Sequence, residues 1–290
     1  ALADNTTPED ITITSVDTSK AWPVVSTSCL DTAAANQQNA ADFFGASLTS
    51  ATNLRIDWLG GTAVGQTVSW QVIEYADCSV QTGTVAFGTG DTSKTATITS
   101  VTTAASALFC SALNANACDD TMVRGAVTDA TTLTFTREGS GTAETVRYHV
   151  VSFSDGTNCY RGSIAFGTGD SSLTGAVTSV DTTRAVATIV GNRNTYGSSP
   201  STTARYYNCC FNAEITNSTT VTASRGYTDT VATNVNWQVI EFNGAAAGPT
   251  ITDVNTDEAL SPGETATITG TGFGATQGAG GVKLTQEAGA

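Results

Sequence analysis

The chain has 290 residues, a formal net charge of −14, and only 13% charged residues. Its 12 basic residues include three lysines (Lys20, Lys94 and Lys283). That supply cannot build the basic face that phosphates demand, which argues against nucleic acid and anionic membrane surfaces as partners. No apolar run approaches the ~20 residues of a membrane span. The abundance of Thr, Ser, Ala and Gly predicts a β-rich chain with little material for amphipathic helices.

Residues 1–10 are polar, contain Pro8, and read as an arm. Ala1-Leu2-Ala3 fits the small-residue pattern beside a signal-peptidase cut, so the sequence reads as that of an exported chain; an arbitrary cut is the alternative. Ile11-Thr12-Ile13-Thr14-Ser15-Val16-Asp17-Thr18 then opens the first of three repeats, spanning residues 11–75, 76–153 and 154–242. Its counterparts run from Ala96 to Thr103 and from Gly175 to Thr182, each a strand closing in a Thr- or Asp-containing turn. An apolar segment follows in each copy (Ala21 to Val25, Ala104 to Phe109, Ala185 to Val190), then a polar loop.

Next comes a strand–turn–strand block, Leu48 to Leu54, Val127 to Leu133 and Ile215 to Val221. Each repeat ends on one apolar strand: Val68-Ser69-Trp70-Gln71-Val72-Ile73-Glu74-Tyr75, Val146 to Phe153, and Val235-Asn236-Trp237-Gln238-Val239-Ile240-Glu241-Phe242. Val, aromatic, Val at alternate positions predict a strand with one face in a core, which places Trp70 and Trp237 inside. The other face also ends apolar, as in a strand covered on both sides. From the hairpin block to the aromatic (Leu48 to Trp70, Val127 to Tyr148, Ile215 to Trp237) the spacing is 22, 21 and 22 residues, which implies one hairpin geometry. Gly83-Thr84-Val85-Ala86-Phe87-Gly88-Thr89-Gly90-Asp91 and Gly162 to Asp170 add a leading strand and a Gly-Thr-Gly-Asp turn to repeats two and three. The first repeat has no such strand in front of it.

Residues 243–248 form a small, flexible linker before a different segment, 249–290. Pro249-Thr250-Ile251, the Ser261-Pro262-Gly263 turn and Gly270-Thr271-Gly272-Phe273-Gly274 resemble the start of an IPT/TIG domain, an immunoglobulin-like module. The turn Asn255-Thr256-Asp257-Glu258 departs from that family's proline-bearing turn. The repeats resemble Trp-Gln-Val-Ile-Glu-Phe repeats of exported bacterial and phage-associated structural proteins. This resemblance implies a structural or adhesive role and supplies no catalytic site.

Seven cysteines (Cys29, Cys78, Cys110, Cys118, Cys159, Cys209 and Cys210) point to an oxidising compartment and to disulfide staples. Cys110 and Cys118 flank a short loop and are the easiest local pair. Adjacent Cys209 and Cys210 point to opposite faces of a strand, and the odd count leaves one thiol over. There is no Cys-x-x-Cys and only one histidine, so no metal centre or other cofactor is expected. His149 stands where the sibling strands carry Gln71 and Gln238, which makes it a strand residue rather than a triad base. Glu74 and Glu241 are repeat equivalents that end a strand, not an acid/base pair. Asp17, Asp91, Asp170 and Asp181 are turn residues with weak Ca²⁺ binding as the lesser alternative. Trp22 and Trp58 are the candidates for stacking on a glycan, with core or interface as the plainer alternative.

The sequence therefore predicts an all-β chain: tandem antiparallel β-sandwich repeats and a partial immunoglobulin-like C-terminal module. The missing leading strand and the short last module leave sheet edges to be covered. Strand complementation or end-to-end docking between copies would cover them; so would a chain that continues past Ala290. The function expected is that of a non-enzymatic, extracellular or cell-surface protein, the head-to-tail subunit of a filament or appendage. A virion tail or fibre component and a glycan-binding adhesin stalk are the alternatives, and other surface or virion proteins are the alternative partners.

Overall fold

The computed structural model describes residues 8–28, 44–58, 67–114, 122–194, 211–226, 232–243, 250–255 and 267–271. Apart from one short 3-10 turn, Thr103–Ala105, the regular elements among them are β-strands. The first repeat holds β1 (Glu9–Thr12), β2 (Ala21–Ser28), β3 (Gly45–Ser50), β4 (Asn53–Asp57) and β5 (Thr67–Glu74). The second holds β6 (Cys78–Phe87), β7 (Ser93–Thr97), β8 (Ser106–Asn114), β9 (Arg124–Val127), β10 (Thr132–Thr136) and β11 (Glu144–Phe153). The third holds β12 (Asn158–Phe166), β13 (Ser172–Ala176), β14 (Ala185–Asn194), β15 (Phe211–Asn217), β16 (Thr220–Arg225) and β17 (Thr233–Glu241).

Each repeat is a small antiparallel sandwich. In the second, the sheet β6-β11-β8 faces the hairpin sheet β7-β10-β9. The third repeats this with β12-β17-β14 and β13-β16-β15, and a single bridge from Gly191 to Arg124 joins its first sheet to β9. Gly191 has φ +85, and a Cβ there would collide with the Val123 carbonyl, so only glycine permits this stitch. Among the described residues the first repeat packs β1-β4-β3 against two strands, β2 and β5. Strand β11 has partners on both sides, as does β17, whereas among the described residues β5 pairs with β2 alone.

Alternation explains the cores. In β10, Leu133 and Phe135 are fully buried while Thr132, Thr134 and Thr136, which alternate with them, are half-buried. Each such side chain contributes roughly 1.5–3 kcal/mol through removal from water. The common hairpin spacing has a local cause. Asp129 Oδ1 accepts bonds from Thr131 N (2.7 Å) and Oγ1 (3.1 Å), and Asn217 Oδ1 does the same with Thr219 (2.9 and 3.0 Å). These are Asx turns, which close the hairpin without glycine.

The three sandwiches are not beads on a line. The outer faces of their first sheets meet in a shared cluster of Trp22, Cys78, Ala107, Val151, Phe153, Cys159 and Ile240. The aromatic residues just beyond β5 and β17, Tyr75 and Phe242, meet Phe153 at the end of β11. Their ring centroids lie 5.6, 5.8 and 6.0 Å apart pairwise. The arm is shorter than expected, since Glu9 and Asp10 belong to β1. Asp10 pairs with Arg55 (2.7 Å), and that cross-strand bond lets a polar segment join the sheet.

The chain divides into two compact units, Ala1–Phe242 and Asn243–Ala290. In the second, β18 (Thr250–Asn255) and β19 (Thr267–Thr271) form one antiparallel pair with a register shift between Ile251 and Asp253. The Ser261-Pro262-Gly263 turn and the residues after Thr271 lie outside the described residues.

Candidate functional site

The polar side chains singled out in the sequence lie apart. His149, in β11, is 5% exposed, and its Nε2 lies 3.0 Å from the Ala46 carbonyl oxygen, which makes Nε2 the protonated nitrogen. Burial, helped by the charge of Arg147, pushes its pKa down from 6.5 to about 4. The unfolded imidazole takes up a proton near pH 6.5 while the folded one stays neutral until about pH 4. Stability is therefore full above pH 6.5 and lost as pH falls through that window, by about 3 kcal/mol at ~1.4 kcal/mol per unit. Urea titrations across this range should show the loss in the wild type. A His149→Gln chain, carrying the side chain found at positions 71 and 238, should show a flat profile.

Glu74 and Glu241 end their strands as local caps: Glu74 Oε1 accepts from Asp17 N at 2.7 Å and Glu241 Oε1 from Asp181 N at 2.8 Å. Asp17 and Asp181 in turn accept from Ser19 and Thr183 two residues on. Among the described residues no cluster of three or more His, Cys, Asp or Glu forms a metal cage.

The Gly-Thr-Gly-Asp turns have a role that the sequence reading did not find. Each holds an arginine. Arg137, completely buried, donates from Nε to Asp91 O (2.8 Å) and from Nη2 to Gly88 O (2.9 Å); Nη1 reaches Thr142 O (2.6 Å) and pairs with Glu144 (3.1 Å). Its guanidinium lies 4.9 Å from the Phe87 ring centre. Arg225 repeats the arrangement with Asp170 O (2.7 Å), Gly167 O (3.1 Å) and Phe166. Asp91 and Asp170 close the turns by accepting from Gly88 N and Gly167 N, both at 2.7 Å. The signal was present: each arginine follows the buried Leu133 or Val221 by four residues, where the first repeat has Trp58.

The proposed glycan platforms are interior. Trp22 is 1% exposed and stacks on Phe109 at 5.7 Å, and Trp58 is buried beside Phe44 at 6.0 Å, so neither offers a ring face to a sugar. The staple expectation is corrected for three cysteines: Cys78, Cys110 and Cys159 are free thiols. Burial in the shared apolar cluster pushes Cys78 up to about 11 and Cys159 up to about 12, so both remain protonated and slow in disulfide exchange. Cys29, Cys118, Cys209 and Cys210 lie outside the described residues.

What the repeats do share is a way of holding one another. Two alternate positions on the outer face of β11 and of β17 reach back to the preceding repeat. In β17, Gln238 accepts from Leu108 N (3.0 Å) and donates to Leu108 O (2.9 Å), while Asn236 donates to Gly125 O (2.9 Å). In β11, His149 bonds Ala46 O and Arg147 pairs with Asp57. Pro23, at the Leu108 place in β2, has no N–H, so the two-bond clasp of Gln238 cannot recur there. In β5 the same positions are Ser69 and Gln71, and both are exposed.

Among the described residues the complementary surface is exposed in the third repeat. Trp22, Ala107 and Val186 face Ile73, Val151 and Ile240 in equivalent registers. The first two are buried under the next repeat, whereas Val186 is 43% exposed. Trp70 and Val186 are the exposed large apolar side chains among the described residues. Trp70 thus corrects its core placement: it is 39% exposed, on an edge of β5 that no strand pairs with among the described residues, while Tyr148 and Trp237 are buried at 7% and 3%. No protein-family model, no curated protein and no solved structure matches the chain.

Proposed function

We propose that this chain is a non-enzymatic extracellular structural protein whose copies join head to tail as the subunit of a surface filament or appendage. The observation that carries this reading is a pair of complementary faces exposed among the described residues. Ser69 and Gln71 are exposed at the clasping positions of β5, and Val186 is 43% exposed at the receiving position of β14. One copy's β5 face then sits on another copy's β14, as β17 sits on β8 within the chain. Such a contact uses two different surfaces and propagates as an open filament unless rotation closes a ring. A virion tail or fibre would use the same contact. The pair β18–β19 fits the opening strands of the immunoglobulin-like module that the sequence suggests. The adhesin reading has lost its two tryptophan platforms to burial.

Sedimentation velocity over a concentration series, with negative-stain microscopy, tests the proposal. The wild type should grow into linear assemblies. Val186→Asp, at an exposed position, should remain monomeric with an unchanged circular dichroism spectrum. A wild type that stays monomeric at every concentration, or a Val186→Asp chain that assembles as well as the wild type, defeats the reading.

A further inference from the structure

We infer that the edge of β5 left without a partner among the described residues is an acceptor for one added β-strand, of the kind that β6 and β12 supply to their repeats, with a glycine seated opposite Trp70. The two sibling repeats define the occupant. In each, the equivalent edge carries a strand: β6 on β11, with Gly83 opposite Tyr148, and β12 on β17, with Gly162 opposite Trp237. The glycine is a steric necessity. A Cβ at Gly162 would lie 2.5 Å from Trp237 Cζ2, and one at Gly83 would lie 2.6 Å from Tyr148 Cζ. The aromatic ring crosses over the neighbouring strand and is covered by it. Two residues on, Val85 and Ile164 face Val146 and Val235; two further, Phe87 and Phe166 are 1% exposed.

Strand β5 keeps the acceptor half of this arrangement. Val68, Trp70 and Val72 repeat Val146, Tyr148 and Val150. Its sequence, Thr-Val-Ser-Trp-Gln-Val-Ile-Glu, contains no Pro, Lys or Gly, the residues with which proteins blunt an edge. Among the described residues this edge has no strand partner and its indole is 39% exposed, the geometry that strand addition uses. The pattern of the donor follows from the siblings: Gly opposite Trp70, Val or Ile opposite Val68, then Ala and Phe. This deepens the assembly reading by naming the chemistry of the strand that seals the first repeat, and its biological use rests on that reading.

The test uses the full chain carrying Val186→Asp and a capped synthetic peptide with the sequence of Ser79–Phe87. Binding is followed by hydrogen exchange of the β5 amides and by tryptophan emission. The peptide should slow exchange along β5 at least about tenfold and shift the emission to the blue. The shift should vanish in a Trp70→Phe chain, and a peptide carrying Gly83→Val should bind more than about tenfold more weakly. Equal binding of the two peptides, or β5 amides already protected in the chain alone, overturns the proposal. If the Val186→Asp chain takes the peptide while the wild type never polymerises, the acceptor stands and the filament is removed. If the wild type polymerises while the Val186→Asp chain ignores the peptide, the reverse holds.

Discussion

Replacing Arg137 by Ala is expected to cost about 3–5 kcal/mol and to leave the second repeat close to unfolding at ambient temperature. The guanidinium is completely buried and holds four groups at once: the carbonyls of Gly88, Asp91 and Thr142, and the carboxylate of Glu144. Deleting it takes away the cation that faces the buried Glu144 carboxylate, and breaking that buried ion pair sets the size of the effect. Arg225→Ala removes the matching cradle on Gly167 and Asp170, but position 144 corresponds there to Thr233, with no carboxylate to strand. Urea denaturation should therefore rank Arg137→Ala well below Arg225→Ala. Combining Arg137→Met with Glu144→Leu should recover most of the difference, because paired apolar residues remove both charges. Equal midpoints for the two single variants would mean that the buried ion pair is not the dominant contribution.

The second large effect is expected at Gly162. Valine there must displace the indole of Trp237 or push β12 away from β17, since even a methyl carbon falls 2.5 Å from the ring. Overpacking of this kind costs about 1–3 kcal/mol, and the rigid ring, which also lies over Gly175, puts this site at the upper end. In a Trp237→Leu background the same substitution should lose most of its cost. A double-mutant cycle of denaturation midpoints reads that coupling directly. If the two changes are additive, the glycine is not there to admit the ring.

Much of the fold was legible because period two is a strong signal. The three ending strands, the hairpin block and the leading strands β6 and β12 all lie where alternation and internal comparison put them. Alternation reports that a face is apolar, however, and not what covers it. The second apolar face at Ile73, Val151 and Ile240 reads as that of a strand covered on both sides, and what covers it is the seam between sandwiches. Trp22 and Trp58 looked available because they lie off the repeated strand, and both are interior. The arginine cradles were missed because an Arg in a Thr-rich strand reads as a surface residue until its partners, some 50 residues away, are brought beside it. Cysteine number alone suggested staples, and it cannot distinguish an exchangeable thiol from an apolar core atom.

The triangle of Tyr75, Phe153 and Phe242 bears on how the chain responds to load. A row of independent modules pulled from its ends gives way one module at a time and behaves as a shock absorber. Here the three ending strands run to a common knot of rings, so that extracting any one of them withdraws an aromatic wall from the other two. Stretched between residue 8 and residue 243, the chain should hold to a single threshold and then release its length in one event. That is the mechanical character of a stiff strut rather than of an elastic tether.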